Sequence, residues 1–131
     1  MKRILIADDQ PHVARILRLA LERQGYQVRS VFNGLEALEQ IRQDPPDLLI
    51  TDIEMPRMNG RQLCMTLQEE QPQRTFPILI ITSRTGHSER QWAHKIDQAE
   101  FLEKPLSIKQ LITRLAIQFQ DSSGAERPGD G

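Results

Sequence analysis

Ile4-Leu5-Ile6-Ala7-Asp8-Asp9 decides how the rest of this chain is read. The apolar run is the right length for a buried strand, and it ends in two adjacent carboxylates that repel each other. A second run, Leu48-Leu49-Ile50-Thr51, ends the same way in Asp52. Acids delivered by separate strands to one edge of a sheet call for a compensating charge, and they point to a divalent cation and chemistry on a phosphate.

Working outward, short apolar runs alternate with stretches of helical period. Val13, Ile16, Leu17, Ala20 and Leu21 recur at helical spacing behind Pro11, and Gly25 closes that helix. Val28 to Phe32 reads as a second strand. Asn33 with Glu36 predicts a capping box for a helix reaching Gln43, stopped by Pro45-Pro46. Leu48 to Thr51 is the third strand and Gly60 to Glu70 the third helix. Ile78 to Ile81, a continuous apolar run after Pro77, suits a strand covered on both faces. A helix around Ser88 to Ile96, a short strand at Phe101-Leu102 and a final helix capped by Ser107 follow. Such βα alternation predicts a doubly wound parallel sheet with helices on both faces. Ligands of these sheets bind beyond the carboxyl ends of the strands, where Asp8, Asp9, Asp52, Thr82 and Lys104 all fall.

Composition narrows the function. With 131 residues the chain fits one domain. Seventeen basic against eighteen acidic residues, a formal net charge of -1, provide no basic field for nucleic acid. The N-terminal apolar stretch is too short for a signal peptide or a membrane span, so a cytoplasmic setting is expected. The lone Cys64 reads as a packed thiol in a helical stripe. His12, His87 and His94 show no ligand spacing, and Met55 and Met58 read as loop packing. Residues 1–120 are expected to form the domain, and 121–131, rich in Gly, Ser and charge, a disordered tail or linker stub. Trp92 is expected to be partly exposed as a docking anchor, since Ala93 and Ile96 already make a stripe on that helix.

The acids have an ordinary reading as well: Asp8 and Asp9 precede a helix, where negative charge favours the positive end of the dipole. The chemical reading assigns carboxylates of Asp9 and Asp52 to Mg²⁺, with Asp8 holding a metal-bound water. Lys104 supplies a fixed cation, and Thr82 a hydroxyl donor. This set suits phosphoryl transfer, in which positioning and charge neutralisation dominate, with Asp52 as the acceptor.

The chain resembles the receiver domains of two-component response regulators. The resemblance rests on Ile4-Leu5-Ile6-Ala7-Asp8-Asp9, on Asn33-Gly34 with Glu36-Ala37-Leu38, and on Asp47 through Pro56 with Met58-Asn59-Gly60. Pro77-Ile78-Leu79-Ile80-Ile81-Thr82 and Phe101-Leu102-Glu103-Lys104-Pro105-Leu106 complete it. It implies a flavodoxin-like (βα)5 sheet with strand order 2-1-3-4-5. It implies that Asp52 accepts a phosphoryl group from a histidine kinase or phosphotransfer protein, and that Mg²⁺ is bound by Asp8, Asp9 and Asp52 with the Glu54 backbone carbonyl. Thr82 would then hydrogen-bond the phosphoryl group and Lys104 would pair with it. Phe101 would turn inward and repack the face of the fourth helix, fifth strand and fifth helix. A downstream effector or fused output domain would dock there, or a second copy would dimerise there.

The chain departs from the family pattern in three places. Ala93 to Glu100 lacks the usual Gly-Ala pair, Ser83 replaces a smaller residue, and Glu54 and Arg84 hold the variable positions two residues past Asp52 and Thr82. Those two side chains are expected to tune the lifetime of the phosphorylated state. A competing reading is a small Mg²⁺-dependent phosphatase with an aspartyl nucleophile. Such enzymes usually place a second Asp where Glu54 stands, and they need a larger body. A flavin or nucleotide binder is disfavoured, because no Gly-rich phosphate loop follows the first strand.

Overall fold

A computed structural model describes residues 1–83 and 91–126, with side chains described as far as residue 120. Five strands, β1 (Arg3–Ala7), β2 (Gln27–Val31), β3 (Leu48–Asp52), β4 (Ile78–Thr82) and β5 (Ala99–Glu103), form one sheet in the order β2-β1-β3-β4-β5. Every pairing is parallel. This is the flavodoxin-like topology expected above. Helices α1 (Pro11–Arg23), α2 (Gly34–Gln43) and α3 (Gly60–Glu70) make the first three crossovers, and with a C-terminal helix (Ile108–Glu126) they form the two outer layers.

The layers follow from the two-residue period of the strands. Leu5, Ala7, Leu49, Ile78 and Ile80 point into a core shared with α2 and α3. Ile4, Ile6, Leu48, Ile50, Leu79 and Ile81 point the other way, onto α1 and the C-terminal helix. The two central strands β3 and β4 are buried along their whole length, which is why their sequences show no polar alternation. The edge strands β2 and β5 are half-exposed and carry charge. Arg29 is held by Gln40 at 2.6 Å and Glu100 by Arg114 at 2.9 Å, so neither edge offers a bare apolar ladder.

Local signals hold with adjustments. Asn33 caps α2 through the Glu36 N–H at 2.9 Å, but the Glu36 carboxylate takes the Phe32 N–H rather than that of Asn33. A complete reciprocal box lies instead at α3, between Asn59 and Gln62. Ser107 accepts the Gln110 N–H at 3.2 Å at the start of the C-terminal helix. That helix continues to Glu126, past the boundary expected at residue 120, and residues 127–131 lie outside the described part.

The segment before β5 departs further from expectation. Of the helix expected from Ser88 to Ile96, only 91–93 is helical and 94–96 form turns, while 88–90, with His87, lie outside the described residues. Trp92 is buried, 5 % exposed, not a surface anchor. The stripe that faces inward is Trp92 with Ile96, one helical turn apart, both joined to the α2–α3 core. Ala93 lies at its margin. Trp92 meets the Phe101 ring edge-on at 5.8 Å and 83°. Where the family's Gly-Ala pair is missing, the turn is made by Gln98 at φ 55°. Arg74 and Gln68 grip it: Gln68 accepts the Asp97 N–H at 3.0 Å, and the Arg74 guanidinium donates to the Asp97 carbonyl.

Cys64 is fully buried, and burial pushes its thiol up to about 12. His12 and His94 are exposed. No described helix is long and apolar enough to cross a membrane.

Candidate functional site

Strand register builds the site. Ala7 pairs with Thr51, so the residues that follow, Asp8 and Asp52, emerge side by side from β1 and β3. Asp52 pairs with Ile81 and Thr82 with Glu103, which brings Thr82 and then Lys104 to the same rim. Four residues remote in sequence, Asp8, Asp52, Thr82 and Lys104, meet because parallel strands all end on one edge.

Asp8 and Asp52 are buried, at 2 % and 4 % exposure, whereas Asp9 is exposed. Each buried carboxylate is held. Asp8 Oδ1 accepts the Gln10 N–H at 2.9 Å, immediately ahead of α1, but no described side chain caps the first turn of that helix. Asp52 Oδ1 accepts the Ile53 N–H at 2.7 Å. Asp52 Oδ2 accepts from Lys104 Nζ at 3.0 Å. Lys104 is fixed in turn, its N–H donating to the Thr82 carbonyl at 2.7 Å, and the Lys104–Pro105 bond is cis. Thr82 is buried at the end of β4.

The electrostatics follow from this geometry. Burial raises the Asp8 carboxyl above the ordinary aspartate value, and the charges of Asp52 and Asp9 push it the same way. The Gln10 N–H and Lys104 oppose the rise. One carboxylate oxygen from each of Asp8, Asp9 and Asp52 lies within 4.8 Å of the others. Such a set of hard, anionic oxygens fits Mg²⁺, which takes one or two carboxylates and keeps several waters. A cation there would offset the part of the rise that comes from the charges of Asp52 and Asp9. Glu54 is exposed on the loop after β3; Arg84 lies outside the described residues.

Beside the rim, a cavity of about 280 Å³ runs between α1 and the loop after β5. Its lining includes Asp8, Gln10, Val13, Ile16, Lys104 and Leu106. The sequence reading did not single out Gln10 or the Ile53 N–H, which orient the two buried carboxylates. Backbone donors have no residue-type signature, so only the fold shows them.

Residues 4–116 match the family model of the response regulator receiver domain. The chain belongs to the response regulator receiver domain family. This receiver domain is 37 % identical over 113 residues to response regulator MprA of Mycobacterium ulcerans (strain Agy99), covering 86 % of this chain and 48 % of that protein. It is 34 % identical over 119 residues to response regulator GtcR of Aneurinibacillus migulanus, covering 91 % and 48 %. The chain thus spans about half the length of the curated relatives it matches. Among solved structures, the receiver domain of Francisella response regulator 1452 superposes with a TM-score of 0.82 at 26 % identity, covering 93 % of this chain and 99 % of that one. TrrA of Thermotoga maritima, solved in complex with Mg²⁺-BeF, superposes with a TM-score of 0.77 at 28 % identity, covering 88 % and 97 %. The receiver domain described here is therefore a signalling module of two-component systems.

Proposed function

We propose that this receiver domain is a phosphorylation-controlled switch in which Asp52 accepts a phosphoryl group from a histidine kinase or phosphotransfer protein. The observation that carries the reading is the buried Asp52 carboxylate, held 3.0 Å from Lys104 Nζ beside two further acids. Asp8, Asp9 and Asp52, with the Glu54 backbone carbonyl, would hold Mg²⁺. When bound, the ion neutralises charge on the acceptor and the incoming phosphoryl oxygens.

The protein's own groups do the rest. The Ile53 N–H orients the Asp52 carboxylate. A carboxylate oxygen forms the new bond to phosphorus as the bond from phosphorus to the donor's histidine nitrogen breaks. Lys104 exchanges its Asp52 partner for a phosphoryl oxygen, and the Thr82 hydroxyl donates to another. The cleft between α1 and the loop after β5 is the apolar surface beside the acceptor, and Ile16 at its margin is 55 % exposed, which suits the approach of a donor protein. Thr82 engagement would draw Phe101 inward, changing the face formed by the segment 91–98, β5 and the C-terminal helix. An effector, a fused output domain or a second copy would read that face. Glu54 and Arg84 would tune how fast water removes the group. A cytoplasmic setting accords with this reading.

Incubation with Mg²⁺ and acetyl phosphate tests the core of the proposal. The wild type is expected to give an acid-stable, base-labile adduct that Asp52→Ala lacks. No adduct on the wild type, or an equal one on Asp52→Ala, overturns it. Decay of the phosphorylated Glu54→Ala and Arg84→Ala proteins at the wild-type rate would remove the tuning role.

A further inference from the structure

The loop that leaves Asp52 is strapped to the start of α2. Residues 53–59 turn sharply: the Met58 N–H donates to the Pro56 carbonyl at 2.7 Å, and Arg57 is held at φ 65°. The loop is pinned at its far end, where the Gly60 N–H donates to the Ile53 carbonyl at 2.8 Å. It is pinned from below by Met55, buried in the α2–α3 core, with half-buried Met58 packed against the same cluster. The last tether comes from a different element. The Gly34 N–H, in the first turn of α2 where no intrahelical acceptor exists, donates to the Met58 carbonyl at 2.8 Å.

The approach is close enough to require glycine. A Cβ at Gly34 would overlap the Met58 carbonyl oxygen and stand 2.7 Å from Met58 Cγ and 2.8 Å from Met58 Cβ. Anything wider than glycine at position 34 must therefore push Met58 outward. The other end of the same loop begins at Ile53, whose N–H holds Asp52 Oδ1 at 2.7 Å. With Gly60 and Met55 held, a push at Met58 has few places to go other than back along the short loop.

We infer that Gly34 and Met58 are positioning residues for the Asp52 carboxylate, acting through residues 53–59. The inference rests on the phosphoacceptor reading of Asp52 and extends the site to the α2 N-terminus, which touches none of the reacting atoms. It makes the orientation of Asp52, and so its affinity for Mg²⁺ and its reactivity, depend on a backbone contact between two elements that local sequence does not link.

The test uses the whole chain with four variants and four readouts: the Mg²⁺ dissociation constant by titration, the rate of phosphorylation by acetyl phosphate, the Ile53 amide resonance, and the melting temperature. Gly34→Ala and Met58→Gly are expected to weaken Mg²⁺ binding and slow phosphorylation by about tenfold, the order of loss that small misplacements of a reacting group produce. Both should also shift the Ile53 resonance. Met58→Leu, which keeps the volume, should leave all readouts near wild type. Ile41→Val, in the buried face of the same helix, should lower the melting temperature and move none of the other three. Should Gly34→Ala not fold, Met58→Gly carries the test. Wild-type Mg²⁺ affinity and rate in the folded strap variants, or an equal loss in Ile41→Val, overturns the inference alone. A wild type that neither binds Mg²⁺ nor takes a phosphoryl group overturns the reading of the site, and the inference with it.

Discussion

The carbonyl oxygen of Asp52 stands so close to Gly60 that a Cβ there would overlap it. The first residue of α3 therefore lies directly against the end of β3, with its N–H closing onto Ile53. Gly60→Ala should force the strand end and α3 apart, since a Cβ would also stand 2.9 Å from Ile53 Cα. The expected cost is about 1–3 kcal/mol, as for overpacked interiors. Chemical denaturation should show it, together with slower phosphorylation of Asp52 in the protein that remains folded. Unchanged stability would mean the helix can slide without penalty.

Lys104 is expected to stabilise the metal-free protein by offsetting the buried carboxylates of Asp52 and Asp8. Lys104→Met removes the cation 3.0 Å from the buried Asp52 Oδ2. The loss should be about 2 kcal/mol, the scale of a hydrogen bond to a charged group. Added Mg²⁺ should restore part of it, because a second cation can take over the same neutralisation. Thermal melts with and without Mg²⁺ check this. Equal destabilisation in both would show that Lys104 acts by packing.

Asp8 gives a pH dependence of definite sign. Its carboxyl titrates above the ordinary aspartate value in the folded chain, chiefly through burial. The folded state therefore holds the proton more tightly than the unfolded state between the two values. Stability from this group falls as pH rises from the ordinary aspartate value through the raised folded value. Asp8→Asn should raise the melting temperature of the metal-free protein at pH 7, and the advantage should shrink as pH falls toward the ordinary carboxylate range. With Mg²⁺ present the order should reverse, because the variant loses a proposed ligand. A pH series of melts that shows no such convergence counts against the buried, repelled carboxylate.

Trp92 is the only tryptophan and is buried against Phe101. Its emission should be blue-shifted and poorly quenched by acrylamide. Trp92→Ala should cost about 3–5 kcal/mol, the range for emptying a large aromatic site. Because Phe101 is the proposed moving aromatic, Mg²⁺ with acetyl phosphate should change Trp92 emission in the wild type but not in Asp52→Ala. A freely quenched Trp92 would place it at the surface.

Much of this fold is legible in one dimension because its signals are local. Continuous apolar runs mark β3 and β4, Pro11 and Asn33 mark helix starts, and acids stand at strand ends where a buried position alone would not keep them. The burial of Trp92 is not legible in the sequence, because an Ala93–Ile96 stripe and a Trp92–Ile96 stripe are equally consistent with helical spacing. Only the neighbouring sheet selects which one turns inward.

The amino-acid sequence by itself determined the alternation of strand and helix, the acids and lysine of the rim, and the residues that carry the family resemblance, because periodicity and charge are written residue by residue. The tertiary structure alone decided the strand register that sets Asp8 beside Asp52, the backbone N–H groups that aim both carboxylates, and the contacts that require glycine at 34 and 60. Those depend on distances between segments remote in the chain, and a backbone donor or a missing Cβ takes its meaning from what the fold brings against it.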